Sequence, residues 1–110
     1  MTENIEELDK WEELVKHHPN LYPNGMYFEV SDRWYPIIEE LSRWLECKIV
    51  RYIEENPKAT RGNFDDGIPC AIQVKSKFGG LRFYMNFTPD DSYDDIIKLA
   101  EQRIQEMEKK

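Results

Sequence analysis

The sequence predicts an α+β fold: a small antiparallel sheet, formed by a central β-hairpin with a third strand beside it, packed against two or three helices. Three observations predict it. Residues 72–87, IQVKSKFGGLRFYMNF, read as two strands joined by Gly79-Gly80, a pair that supplies positive φ in a two-residue turn. Two longer segments, 33–55 and 91–108, repeat apolar residues every three or four positions, as helices with one buried face do. A short alternating run at 26–30 supplies the third strand, which the hairpin needs because two strands alone are marginal in water. With 110 residues the chain makes one domain, 1–110, around a single modest core. The element order is α-β-α-β-β-α.

Residues 3–18 form the first helix, with Ile5, Leu8, Trp11, Leu14 and Val15 on one stripe and charged residues opposite. Pro19 stops it, and HHPNLYPNG is a turn-rich connection to Gly25. The adjacent His17 and His18 point about 100° apart on a helix and have no second ligand pair, so they predict no metal site. Met26 to Val30 is the third strand. Ser31-Asp32 opens the second helix, and Pro36 must sit in its first turn, where a missing amide costs little. Its buried stripe runs through Trp34, Ile37, Ile38, Leu41, Trp44, Leu45, Ile49, Tyr52 and Ile53.

Residues 56–69, NPKATRGNFDDGIP, make a loop long enough to draw attention. Asp65-Asp66-Gly67 lacks the alternating ligands and terminal glutamate of a calcium loop, so it reads as a turn. The last helix has Thr88 as cap, Pro89 at its first position, and Asp90 and Asp91 at the positive end of the dipole. Tyr93, Ile96, Ile97, Ala100, Ile104 and Met107 form its buried stripe. The acids Asp90, Asp91, Asp94 and Asp95 follow from helix-start chemistry and solvent exposure rather than metal binding.

A turn at Gly79-Gly80 pairs Phe78 with Leu81, Ser76 with Phe83, Val74 with Met85 and Ile72 with Phe87, an inner face that is apolar apart from Ser76. The outer face pairs Lys77 with Arg82, Lys75 with Tyr84 and Gln73 with Asn86. This hairpin carries three cations and no acid in a chain of net charge −7, so the remaining residues carry −10. Like charges directly opposite each other are destabilising by a few tenths of a kcal/mol up to about 1. Lys75, Lys77, Arg82 and Tyr84 are therefore the candidate binding residues, for an anionic partner. Two bland readings stand beside this one. The chain's own carboxylates, such as the Asp65-Asp66 loop, could cover the face, or the cations could simply solubilise an exposed sheet.

Composition narrows the function. Three Trp, six Tyr and five Phe argue for a folded domain rather than disorder. The acidic balance argues against direct nucleic-acid binding. No apolar run approaches the roughly 20 residues of a membrane span, and the acidic start is unlike a signal peptide, so a cytoplasmic protein is expected. Cys47 and Cys70 make neither a disulfide framework nor a zinc site, and small buried hydrophobes are their default. No nucleophile elbow, Walker loop or HExxH is present, which predicts no catalytic residues and no cofactor.

Two segments resemble a family of small proteins of unassigned function from phages, prophages and bacteria. One is the hairpin QVKSKFGGLRFY, residues 73–84, against a family pattern QVKxKFGGLRFY. The other is DRWYPIIEEL, residues 32–41, against a GWYPLIEEL-like helix start, with Arg33 where the family usually has Gly. The resemblance covers 29–45 and 72–100, roughly half the chain. Many relatives continue into a cysteine pair of zinc-knuckle type; this chain ends at Lys110, so no zinc role carries over. The resemblance implies a phage or mobile-element setting, hence a host cytoplasm, and no established catalytic residues. The expected function is a non-catalytic binding protein with a host or phage protein as partner, for instance one that blocks a host defence complex. The alternative is a small-molecule binder such as a sponge for a signalling nucleotide, using the basic hairpin face. Self-association into a homo-oligomer is compatible with either.

Overall fold

The computed structural model describes residues 2–60 and 67–109, with side chains from residue 10 onward. Helix α1 (Thr2–His17) is followed by strand β1 (Phe28–Glu29), a 3-10 turn (Asp32–Trp34), helix α2 (Tyr35–Glu55), strands β2 (Ala71–Lys77) and β3 (Gly80–Met85), and helix α3 (Asp91–Glu108). The fold is α+β in the expected order. The sheet is mixed rather than antiparallel throughout. Its order is β1-β2-β3, β2 and β3 are antiparallel, and β1 runs parallel to β2. A chain that leaves one strand and returns through a helix arrives running the same way, and α2 is that crossover. The third strand is also shorter than expected, two residues instead of five.

Helices α2 and α3 cover the inner face of the sheet. Trp34 of the 3-10 turn and Ile37, Ile38, Leu41, Leu45 and Ile49 of α2 are buried with Tyr93, Ile97, Ala100 and Ile104 from α3 and Val74, Leu81 and Phe83 from the hairpin. Trp44 departs from its expected place: it is 58% exposed, at the rim where α2 meets Ile96 and Leu99 of α3. The stripe on α2 is wider than α3 and the sheet can cover. Across the helix pair, Arg103 reaches Glu40 at 2.6 Å and the Tyr93 hydroxyl donates to the Lys48 carbonyl at 3.1 Å. Cys47 is exposed, contrary to the expectation of a buried hydrophobe, because position 47 lies on the solvent side of the same helix; Cys70 is half-buried.

The segment after α1 does more than turn. Leu21 and Tyr22 are fully buried, and Tyr22 donates to Ser42, whose hydroxyl is itself given to the Ile38 carbonyl, both at 2.7 Å. Burial holds the Tyr22 phenol well above its ordinary pKa, against the opposing pull of Ser42. Glu46 of α2 accepts from the backbone amides of Asn20 and Leu21, at 3.2 and 2.9 Å, and from the Asn20 side chain at 2.7 Å. His17 and His18 diverge: His17 faces Glu13, while His18 is buried with Nδ1 2.7 Å from the Leu14 carbonyl. Leu14 is buried and Trp11 stacks on Phe28 with ring centroids 4.6 Å apart, while its indole donates to Asp32. Ile5 and Leu8 of the same stripe lie outside the described side chains.

The last helix is capped two residues later than expected. Asp90, not Thr88, is the N-cap, accepting from the Ser92 amide at 2.8 Å and from the Ser92 hydroxyl. Those bonds hold its carboxyl below the usual carboxylate range. Thr88 instead donates to Asp94, and Pro89 precedes the cap.

Candidate functional site

The hairpin is where the structure changes the expectation most usefully. The two turn residues are Phe78 and Gly79, at φ +56° and +76°, and not Gly79 and Gly80. Positive φ at both central positions is the geometry that matches the twist of a two-residue hairpin. The resulting pairs are Lys77 with Gly80, Ser76 with Leu81, Lys75 with Arg82, Val74 with Phe83 and Gln73 with Tyr84. Each of these partners has moved by two residues from the expected one, so within these five pairs the side chains keep their expected faces. Val74 and Phe83 do face the helices, and Met85 packs partly against them. Phe78 does not: it stands 90% exposed at the tip.

The base of the hairpin fixes this register. The Asn86 side chain accepts from the amides of Cys70 and Phe87, at 2.9 and 2.8 Å, and donates to the Ile68 carbonyl at 3.1 Å. The Asn86 amide bonds the Cys70 carbonyl at 3.0 Å. With that end pinned, a register irregularity between Ala71 and Gln73 absorbs one residue. Ala71 turns inward in place of Ile72, which is 59% exposed instead of joining the apolar face.

The four candidate residues therefore share the outer face, with new partners. Lys75 is opposite Arg82, and Lys77, which was expected there, is opposite Gly80. Tyr84 lies across from Gln73 and is 42% exposed. The like-charge pair persists through a different lysine. On its other side Lys75 is paired in register with Glu29 of β1, yet no salt bridge joins them. Among the described residues none of Lys75, Lys77 and Arg82 makes a salt bridge. Lys77 rests over the Phe78 ring at 5.6 Å, and the Arg82 guanidinium donates to the Leu81 carbonyl at 3.2 Å. The Asp65-Asp66 turn, the expected internal cover, lies outside the described residues.

Comparison of the chain with protein-family models, with curated proteins and with solved structures finds no match. The site must therefore be judged on its chemistry. Its distinguishing property is the mixture of cations with exposed Phe78, Ile72 and Tyr84. Sequence reasoning found the cations and missed Phe78 and Ile72. The available signal was the choice of turn in Phe78-Gly79-Gly80, where either adjacent pair could provide the two central residues.

Two other concavities lie away from this face. A cleft of about 330 Å³ between α2 and α3 is lined by Trp44, Lys48, Arg51, Tyr52 and Tyr93, among others. Burial, with Asp90, Tyr52 and Glu55 nearby, pushes the Tyr93 phenol up to about 12, so it stays a neutral donor there. A groove of about 610 Å³ between α1 and the 25–28 segment is lined by Trp11, Val15, Met26 and Phe28.

Proposed function

We propose that this chain is a non-catalytic protein-binding module of the phage or mobile-element kind its motifs resemble, and that the outer hairpin face engages an acidic surface of a host protein, such as a component of a defence complex. The observation that carries the reading is Phe78. It is the one non-glycine residue at positive φ among the described residues, and it is 90% exposed. The left-handed conformation costs an ordinary residue about 1–2 kcal/mol, and asparagine or glycine would relieve it. A large aromatic kept there at a folding cost, 90% exposed with the Lys77 ammonium over its ring, supports a contact made with another molecule.

The surrounding chemistry supports an anionic partner. Lys75 opposes Arg82 in the ladder, and an approaching carboxylate would relieve that repulsion. Phe78, Ile72 and Tyr84 among the cations favour a protein segment over a nucleotide, because Phe78 in the turn and Ile72 near the start of β2 are about 20 Å of strand apart, farther than one base could cover. An aromatic with neighbouring cations is also the composition of interface anchors.

The test is capture from host lysate with the wild-type chain and two variants. Arg82→Glu should lose the captured partner, while Lys58→Glu, on the exposed segment after α2, should retain it. Equal capture by wild type and Arg82→Glu would remove the outer face from the account.

A further inference from the structure

We infer that the partner binds as an extended segment, adding a fourth strand to the free edge of β3, with apolar side chains directed inward and acidic ones directed outward. This rests on the outer-face reading above and says how that face is used.

Strand β3 closes the sheet order β1-β2-β3, so among the described residues no strand lies beside its other edge. It is six residues long, three times the length of the other edge strand, β1. Counting from the turn, Gly80, Arg82 and Tyr84 bond into β2, which leaves the backbone groups of Leu81, Phe83 and Met85 aimed out of the sheet. Proteins commonly protect such an edge with charges, bulges or a covering element, and an unprotected one is a template for pairing. Among the described residues, two side chains attend to it. The Arg82 guanidinium occupies the Leu81 carbonyl at 3.2 Å. Glu101 of α3 sits close enough to feel the Phe83 amide and the charges of Arg82 and Lys98, although burial is the larger influence and raises its carboxyl. Both are single, rotatable groups that an incoming strand's carbonyl and amide would replace.

The space beside the edge fits an alternating strand. A groove of about 330 Å³ runs between β3 and α3, lined by Met85, Phe87, Ile97, Asp94, Lys98 and Glu101. Side chains directed inward would meet Met85, Phe87 and Ile97, where small apolar groups fit and where Asp94 and Glu101 disfavour an acid. Side chains directed outward would lie beside Arg82 and Tyr84, where carboxylates face a cation that has no salt bridge among the described residues. Main-chain hydrogen bonds would supply affinity and this alternation the specificity, as in other strand additions.

The test uses the full-length chain and three capped eight-residue peptides: alternating valine and glutamate, the same sequence N-methylated at every second residue, and alternating valine and lysine. The valine–glutamate peptide should bind at least tenfold more tightly than either of the others. On binding, the amides of Leu81 and Met85 should slow in hydrogen exchange, while those of Arg82 and Tyr84, already in the ladder, should change little. Equal binding of the N-methylated peptide, or no slowing at Leu81 and Met85, overturns the edge inference. If Arg82→Glu still weakens binding in that case, the outer face remains the site and only the strand addition falls. Failure of the valine–glutamate peptide to bind also overturns the inference, and the lysate capture then judges the face alone.

Discussion

The Glu46 carboxylate, midway along α2, is met by three donors from Asn20 and Leu21, whereas Lys75, Lys77 and Arg82 on the hairpin make no salt bridge among the described residues. Both regions hold charge against the core of the same small domain. In the first, the charge serves the fold: it fastens a connection whose Leu21 and Tyr22 complete the core. In the second, the arrangement works slightly against the fold, with Lys75 opposite Arg82 and Phe78 in a left-handed turn. The contrast separates charges the chain satisfies internally from charges it leaves for something else.

The core behind both regions sets the scale of any stability experiment. Leu45→Ala, at a fully buried position, should cost about 2–5 kcal/mol in chemical denaturation. A loss below about 0.5 kcal/mol would mean the α2 stripe is not the core. Glu46→Ala should come next, at about 1–3 kcal/mol, because it strands two backbone amides that Glu46 now satisfies. If Glu46→Ala proved neutral, the first half of the comparison would dissolve.

On the hairpin the sign should reverse. Arg82→Glu places opposite charges across from each other at Lys75, so stability should hold or rise by a few tenths of a kcal/mol, about the size of a cross-strand pair. A clear destabilisation would show that Arg82 serves the fold after all. The smallest effect is a pH dependence. Burial raises the Glu101 carboxyl above its unfolded value, so the ionised form weakens the fold at neutral pH. That penalty is removed as pH falls through the raised value and is gone below the unfolded one. Glu101→Gln should therefore be slightly more stable than wild type at pH 7 and lose that advantage by about pH 4, near the ordinary glutamate range. Asp90 runs the other way. Its hydrogen bonds to Ser92 lower its carboxyl, so its stabilising cap is present above the unfolded value and lost as pH falls through the depressed one.

Periodicity made the three helices legible, since the burial of Trp34, Leu41, Leu45, Ile97 and Ile104 follows from spacing alone. The two hairpin faces were legible for a similar reason between Gln73 and Lys77 and between Leu81 and Tyr84, where a shift of two residues leaves each side chain on its side. What the sequence hid was decided by contacts distant along the chain. Asn86 bonding Cys70 and Ile68 sets the register, and hence exposes Phe78 and Ile72. The parallel course of β1 depends on where α2 delivers the chain, and the burial of Leu21 and Tyr22 depends on Glu46 and Ser42. Turn chemistry at 19–25 reads as a surface loop until those partners are known. Lys75, Lys77, Arg82 and Tyr84 were found from charge alone, but their aromatic and aliphatic companions were not.

Phe78→Asn tests the central claim most directly, because it separates folding from binding at one position. Asparagine suits the left-handed turn before Gly79, so the variant should gain about 1 kcal/mol and melt several degrees higher, while its affinity for the captured host protein falls at least tenfold. A variant that is more stable and binds as tightly as wild type would contradict the account, leaving the exposed tip as a feature of the fold with no partner to explain it.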